Sequence, residues 1–578
     1  MRNAFYFGDN LHVLQEYIAG ESVDLVYLDP PFNSNATYNL LFKSPDKSRW
    51  SDAQIATFED TWKWGELANA QYHEIITRGG RGGEVLASLH RILGENDMLA
   101  YLTMMTARLQ ELHRVLKKKG SLYLHCDPTA SHYLKAVLDG IFGPQNYRTE
   151  ISWRRQSAHN DAAQGRKQYG NVRDIIFFYT KSDDWQWNQL YTPYSPDYVE
   201  KFYRHVEAGT GRRYGSFDIT APGGADPKKK NPYYEFLGVS RYWRFSREKM
   251  QELFDQGLIF QSSAGSVPRQ KRYLDEMPGV ALQNDWDDIR SLQSTDREKL
   301  GYPTQKPLSL LERIVLTSSQ KGDTVLDPFC GCGTALHAAE KNDRRWIGID
   351  VAVQSMQVVS ERLKGAFPRI EYDVYGLPTT PEGAEWLAAR DPFKFEEWAV
   401  SRLGAMHSGK YRNDGGVDGY FYFMHGRDDQ SRGIVSVKAG RNLNPGMVRD
   451  LAGTLARERS MTNDPTAIAV MVCAREPTEG MLQEARRVGS VETMFGKIPA
   501  LQILSARDIF AGKTIQVPLM FDSISAGASQ RRRGKSGVGF VDPREIFRQR
   551  QMLLAVSTPT TLGAIADTVL PQRLSNAG

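Results

Sequence analysis

A mostly apolar run, Val23-Asp24-Leu25-Val26-Tyr27-Leu28, stops abruptly at Asp29-Pro30-Pro31-Phe32. Two consecutive prolines fix φ and remove two N–H donors. The corner therefore offers acceptors, the Asp29 carboxylate and the Pro30 carbonyl. Such a pair suits an exocyclic amine on a nucleobase. The lone pair of that nitrogen is delocalised into the ring. Acceptors that hold its hydrogens push it towards tetrahedral geometry and aim the lone pair at an electrophile such as a methyl sulfonium. Phe32 supplies an aromatic face for a base taken out of the duplex, where its target atom becomes accessible. An in-line displacement of this kind needs no metal; proximity and orientation carry much of the rate.

A second segment complements the first. Leu326-Asp327-Pro328-Phe329-Cys330-Gly331-Cys332-Gly333-Thr334 joins an expected strand to an expected helix. Gly331 and Gly333 tolerate positive φ and let a ligand approach the backbone, while the helix amino terminus offers unpaired N–H groups. Asp350 ends the next strand, where a carboxylate can accept hydrogen bonds from ribose hydroxyls. No GxxxxGK[ST] loop occurs, which argues against an NTPase. Cys330 and Cys332 flank a glycine, but no further ligand sits at zinc-site spacing, since His337 falls on the following helix. They read as small loop residues, and no metal is assigned to this region.

The elements that must position these residues alternate. Phe5-Tyr6-Phe7, Val23 to Leu28, Ser121 to His125, Ile175 to Tyr179, Thr324 to Leu326 and Trp346 to Ile349 read as strands. Leu11 to Ile18, Leu99 to Leu116, Ser131 to Phe142 and Leu308 to Ser318 read as helices, the second closed by Lys117-Lys118-Lys119 and Gly120. Strands alternating with helices imply a doubly wound α/β sheet. From about Trp185 to Pro303 Gly, Pro, Tyr, Trp and basic residues mix without period, as in Arg212-Arg213-Tyr214 and Arg241-Tyr242-Trp243-Arg244. This is expected to be an irregular module inserted between two parts of one sheet.

At 578 residues the chain is too long for one ordinary domain. With 41% hydrophobic and 24% charged residues it is expected to be globular. No run of about 18 apolar residues appears, and the amino terminus lacks a signal-peptide pattern, so the expected compartment is the cytoplasm, with no membrane partner. Four scattered cysteines make no disulfide framework. The formal charge of +5 permits nucleic-acid binding without demanding it. The clusters Lys117–Lys119, Lys228–Lys230 and Arg531–Arg533 carry weight only beside other evidence.

Taken together, these motifs resemble those of the amino-methylating DNA methyltransferases. Asp29-Pro30-Pro31-Phe32 is similar to the catalytic (D/N/S)PP(Y/F) motif, and Phe329-Cys330-Gly331-Cys332-Gly333 to the FxGxG cofactor motif. Pro303-Thr304-Gln305-Lys306-Pro307 resembles the TQKP segment of the cofactor pocket. Gly8-Asp9 resembles the short motif whose acid meets the cofactor adenine. The catalytic motif comes first and the recognition segment lies between the two, an order that resembles the β group. The resemblance covers about residues 1–365. It implies a Rossmann-like methyltransferase sheet, S-adenosyl-L-methionine as cofactor, and double-stranded DNA as substrate in a restriction–modification or defence setting. It further implies catalytic roles for Asp29, Pro30, Pro31 and Phe32. Cofactor binding falls to Asp9, Lys306, Asp327, Phe329, Gly331, Gly333, Thr334 and Asp350. A leading Asp in this family leans towards N6 of adenine, with N4 of cytosine as the alternative.

Beyond Phe367 the composition shifts. The expected organisation is a catalytic part over 1–184, target recognition over 185–302, a cofactor-binding part over 303–367 and a linker over 368–391. A smaller α/β unit over 392–515 and a flexible basic tail with a terminal helix over 516–578 follow. In the smaller unit, Gly415-Gly416-Val417-Asp418-Gly419 followed by Ile434-Val435-Ser436-Val437-Lys438 resembles an Mrr-type restriction-nuclease core. Such a core implies Asp418 and Lys438, with Glu396 as a helix acid, around Mg²⁺ that activates water. The family places Glu or Gln where Ser436 stands, so two readings remain open: metal-dependent cleavage, making the protein bifunctional, or a nuclease-like fold kept for DNA or partner contact. A second copy of the chain and a restriction or helicase subunit are candidate partners.

Overall fold

The computed structural model describes residues 2–31, 37–42, 53–59, 63–156, 167, 169–221, 231–293, 295–300, 302, 304–408, 416–426, 429–494, 496–521, 540–544 and 546. Phe32, Pro303, Gly415, Lys228–Lys230, Arg531–Arg533 and most of the expected terminal helix lie outside them.

Nine strands form the principal sheet. Their order is Asp285–Trp286, Tyr147–Arg154, Arg173–Thr180, Leu116–Cys126, Val23–Leu28, Thr324–Asp327, Arg345–Asp350, Ala4–Phe7 and Asp373–Tyr375. Arg173–Thr180 is antiparallel to both its neighbours, and the other adjacent pairs are parallel. The central strands are apolar along nearly their whole length because both faces are covered, as buried parallel strands require. At the middle of the sheet, Leu25 and Val26 register with Val325 and Leu326. Here the strand order reverses, so the carboxyl ends diverge into a crevice where ligands bind in this architecture.

On one face Leu14, Leu86, Leu102, Leu109, Leu134 and Val137 fill a core with sheet residues Val26, Leu122, Leu124 and Phe177. The long helix expected from Leu99 to Leu116 spans Asp97–Val115, started by an Asn96 side chain that accepts from the Leu99 N–H at 2.9 Å. Lys117–Lys119 do not close it. They lie on the following strand, because Leu116 already continues into extended backbone. Two helices, Glu66–Arg78 and Arg81–Leu93, occupy what reads as a polar stretch. The glycines that obscure the second are close-approach residues: a Cβ on Gly82 would stand 2.9 Å from Ile141 Cγ1, and one on Gly83 would stand 3.2 Å from the Ile75 carbonyl. Trp346 ties the sheet to a neighbouring helix, fully buried, with Nε1 donating to Glu340 at 2.9 Å. Trp346→Ala is expected to cost about 3–5 kcal/mol, read as a lowered urea midpoint at constant slope.

Residues 188–283 form a separate compact unit. The expectation of an irregular module is corrected here. The unit contains a four-stranded antiparallel sheet, in the order Ile259–Phe260, Arg269–Tyr273, Arg213–Asp218, His205–Val206, and two short ladders. Its strands run two to six residues, too short for a period to register in sequence. Trp243, Ile219, Phe236, Met250 and Leu253 make its small core.

The expected linker over 368–391 is also largely ordered. It supplies the edge strand Asp373–Tyr375 and the helix Pro381–Arg390. Between them Gly376 has φ +87°, where a Cβ would collide with the Phe7 carbonyl. A second sheet follows, in the order Leu501–Ser505, Ile468–Cys473, Gln430–Lys438, Gly419–Met424, Leu519–Phe521, Phe540–Val541, with Met406–His407 beside Gly419–Met424. Two of its strands therefore come from the region expected as a flexible tail. They repeat the apolar spacing of a strand only briefly, between polar stretches. Among the described residues no helix is long and apolar enough to cross a membrane.

Candidate active site

Four neighbouring parallel strands deliver the site at their carboxyl ends. Leu28 is followed by Asp29-Pro30-Pro31, Asp327 ends the next strand, Asp350 the third, and Phe7 leads into Gly8-Asp9. Their turns surround one cavity of about 310 Å³, lined by Asp9, Asp29, Pro30, Pro31, Lys306, Asp327, Phe329, Gly331, Thr334 and Asp350. Gly333 does not line it but shapes it from behind. Phe32 lies outside the described residues.

The glycine loop is built as its sequence requires. Gly331 has φ +49° and Gly333 φ +72°, in the left-handed region that favours glycine. A Cβ on Gly333 would come within 2.9 Å of Val359, so bulk is excluded as well. Gly333 precedes the helix Thr334–Lys341. Asp350 holds this loop: its Oδ2 accepts from the Gly331 N–H at 2.8 Å and its Oδ1 from the Ala352 N–H at 2.9 Å. Burial pushes Asp350 up to about 6 against the opposing pull of those backbone donors. Burial also pushes Asp327 well above the usual carboxylate range, reinforced by Asp29 and Asp350 and only partly offset by the Phe329 N–H.

Several residues that build the cavity are not visible in the sequence. Arg108, from the middle of the helix Asp97–Val115, is buried and reaches across to the mouth of the cavity. It donates to Asp9 Oδ2 at 2.8 Å and to Asn10 Oδ1 at 2.5 Å, while Asn10 Nδ2 donates to the Pro328 carbonyl at 2.7 Å. Asp9 also caps its own helix, accepting from Leu11 and His12. Tyr302 lies under Gly331 and meets Ser355 at 3.3 Å. Arg362 donates to the Thr334 hydroxyl at 2.7 Å and to the Cys332 carbonyl at 3.2 Å, so Thr334 is first a fixed part of the loop.

Asp29 is the most distinctive group. Its Oδ2 accepts from Lys306 Nζ. Its Oδ1 is buried and has no hydrogen-bond partner among the described residues. A buried acceptor left unmatched costs roughly 1–3 kcal/mol, so such an atom on a cavity wall marks a place for a donor.

In the second sheet Asp418 Oδ2 accepts from the Val437 N–H at 2.6 Å, which places Asp418 beside the strand carrying Ser436 and Lys438. Lys438 Nζ donates to Ser436 Oγ at 3.0 Å. Glu396 is paired with His407 at 2.8 Å. No group of three or more His, Cys, Asp or Glu side chains among the described residues is arranged to hold a metal ion.

A model of the N6/N4 methyltransferase family, described as DNA methylase, matches residues 23–361. The chain belongs to this DNA methylase family. It is 28% identical over 330 residues to the type II methyltransferase M.EcaI of Enterobacter cloacae, covering 57% of this chain and 72% of that one. It is 26% identical over 361 residues to the Mod subunit of the type III restriction–modification enzyme StyLTI of Salmonella typhimurium, covering 58% and 49%. It is 25% identical over 356 residues to the DNA adenine methyltransferase YhdJ of Escherichia coli, covering 62% and 81%. The chain thus spans nearly three-quarters of the first relative and about half of the second. The family match ends before the second sheet begins.

Proposed function

We propose that this DNA methylase transfers a methyl group from S-adenosyl-L-methionine to the exocyclic amine of a flipped base in double-stranded DNA, favouring N6 of adenine. The observation that carries the reading is Asp29 Oδ1, a buried acceptor with no partner on the wall of the cavity that the glycine loop also lines. The lining fits the cofactor: four carboxylates, Asp9, Asp29, Asp327 and Asp350, face a space suited to a sulfonium and an ammonium. Asp350 and the turn after Phe7 would hold the ribose and adenine end, and the loop from Asp327 to Thr334 the amino-acid end. When bound, the cofactor supplies an electrophilic methyl group. Asp29 Oδ1 and the Pro30 carbonyl accept hydrogen bonds from the two amine hydrogens and turn the lone pair out of the ring plane. After transfer the extra proton on nitrogen leaves towards Asp29. Pro30 and Pro31 keep the acceptors aimed without competing donors. The Asp at position 29 and the adenine-methylating relative support adenine; cytosine N4 is the alternative.

Incubation with S-adenosylmethionine and unmethylated genomic DNA, without metal, followed by nucleoside mass spectrometry tests this. N6-methyladenine is the expected product. N4-methylcytosine would keep the mechanism and change the target, and absence of any methylated nucleoside would reject the reading.

For the second α/β unit we infer a DNA- or partner-contacting role without cleavage. Lys438 is bonded to a hydroxyl where a metal-holding acid would be required, and Glu396 is engaged by His407. The expected result is no nicking of supercoiled plasmid when Mg²⁺ is added. Nicking that disappears in Lys438→Ala would establish the bifunctional reading instead. In the unit 188–283, Arg212 is held by Asp275 and Glu276, and Trp243 is core. Recognition there would fall to other side chains.

A further inference from the structure

The TQKP resemblance assigns Lys306 to the cofactor pocket, yet its partner is the catalytic carboxylate. Lys306 Nζ donates to Asp29 Oδ2 and to the Thr304 carbonyl at 3.4 Å. Both side chains are nearly enclosed, with 11% of Lys306 and 15% of Asp29 exposed, so solvent screens the pair little. The other side of Asp29 is arranged differently. His125 Nδ1 stands 4.0 Å from Oδ1, beyond hydrogen-bond reach. That imidazole is fully buried and held where it is: Nδ1 meets the Tyr27 hydroxyl at 3.0 Å, and Nε2 meets Asp174 at 3.2 Å. Asp174 is paired in turn with Arg155 at 3.4 Å. Burial alone would push Asp174 up, but His125, Arg155 and Lys306 outweigh it and hold Asp174 below the usual carboxylate range. Asp174 therefore stays an acceptor beside Nε2, and Nδ1 stays within hydrogen-bond reach of Tyr27. Nδ1 is thus engaged by Tyr27 and too distant to bond Asp29 Oδ1.

The two oxygens of Asp29 are thus unequal. One is occupied by a cation, and the other is enclosed but open. We propose that Lys306 is a positioning residue for Asp29, fixing Oδ2 so that Oδ1 alone is presented to the target amine, and is not a ligand of the cofactor. This rests on the role given to Asp29 above. Without Lys306 the carboxylate can rotate about its Cβ–Cγ bond and tilt away from the amine. A misplacement near 1 Å at a reacting group costs on the order of 10²-fold in rate. A cofactor ligand would behave otherwise, because its loss raises the cofactor KM and leaves the saturated rate intact.

Full-length Lys306→Met and Lys306→Arg, titrated calorimetrically with S-adenosylmethionine and assayed in single turnover on duplex DNA at saturating cofactor, separate the two. Lys306→Met is expected to slow transfer by about 10–100-fold, with the cofactor Kd changed by less than about threefold, a size typical of an indirect effect. Lys306→Arg keeps the charge beside Oδ2 and should recover part of the rate. It also serves as the informative variant if the methionine protein does not fold. A cofactor Kd weakened tenfold or more (about 1.4 kcal/mol) with an unchanged saturated rate would overturn the proposal, as would an arginine variant no faster than a folded methionine variant. Failure of the underlying reading looks different: wild-type protein that binds the cofactor but methylates no nucleoside, or Asp29→Ala that methylates normally, removes both.

Discussion

Asp29→Ala is expected to reduce methyl transfer by on the order of 10³-fold, the scale seen when a preorganised polar group facing the transition state is removed. The substitution takes away the open acceptor Oδ1 and leaves the amine lone pair in conjugation with the ring. It also strands Lys306, whose ammonium would remain almost buried beside a cavity meant for a sulfonium. Cofactor affinity should therefore weaken as well, by a few-fold. Asp29→Asn separates the effects. Its amide keeps the shape, but Lys306 would compel the amide oxygen to take the Oδ2 position and turn the NH₂ towards the target. Two donors would then face each other, so Asn should be nearly as inactive as Ala, while an Asn variant within about tenfold of wild type would mean that charge and orientation at Asp29 are not central. Single-turnover rates with calorimetric cofactor titration read both quantities.

The parts of this site that sequence reveals are those fixed by chain-local chemistry. Proline pairs, glycines with positive φ and an acid after an apolar run announce themselves, and the turns at the ends of four strands fall where their patterns stop. What sequence hides are residues defined by distant partners. Arg108 sits among Met104, Met105 and Leu109 on a helix, where a single arginine ordinarily reads as solvated; only the packed helix brings it to Asp9, 99 residues away. His125, near the end of one apolar strand, and Asp174, at the start of another, read as sheet residues until antiparallel pairing brings them together. Lys306 was legible as part of a motif, but its partner was not, since Asp29 lies 277 residues earlier. The helices over 66–93 were hidden by glycines that serve packing, and the short ladders of 188–283 by their length.

Asp350 is the second residue whose loss should be severe, and its effect should carry a pH signature. The carboxylate fixes the loop through the Gly331 and Ala352 N–H groups, and in the proposed function its edge on the cavity would accept from the cofactor's ribose hydroxyls. Asp350→Ala removes both at once. Hydrogen bonds to a charged group contribute roughly 1.5–3 kcal/mol each, so losing even one or two of them predicts a cofactor Kd weakened by about 100-fold, with Asp29 untouched. Because burial raises Asp350 to about 6, its free form takes up a proton well above the ordinary range. A protonated carboxyl replaces an acceptor lone pair with an O–H, so the cofactor binds the ionised form more tightly. Affinity should therefore rise as pH increases through about 6 and level off above it, with protons released on binding between roughly pH 5 and 6.5. For folding the sign is opposite. A raised carboxylate contributes stability that is fully present below its unfolded value and is lost as pH rises through about 6. Cofactor-free protein thus gives up stability from this group in the range where binding improves. The cofactor, by favouring the ionised carboxylate, should restore more thermal stability at pH 7.5 than at pH 5.5. An Asp350→Ala protein whose weak residual binding no longer changes across that range would tie the pH dependence to this side chain; an unchanged profile in the variant would place it elsewhere.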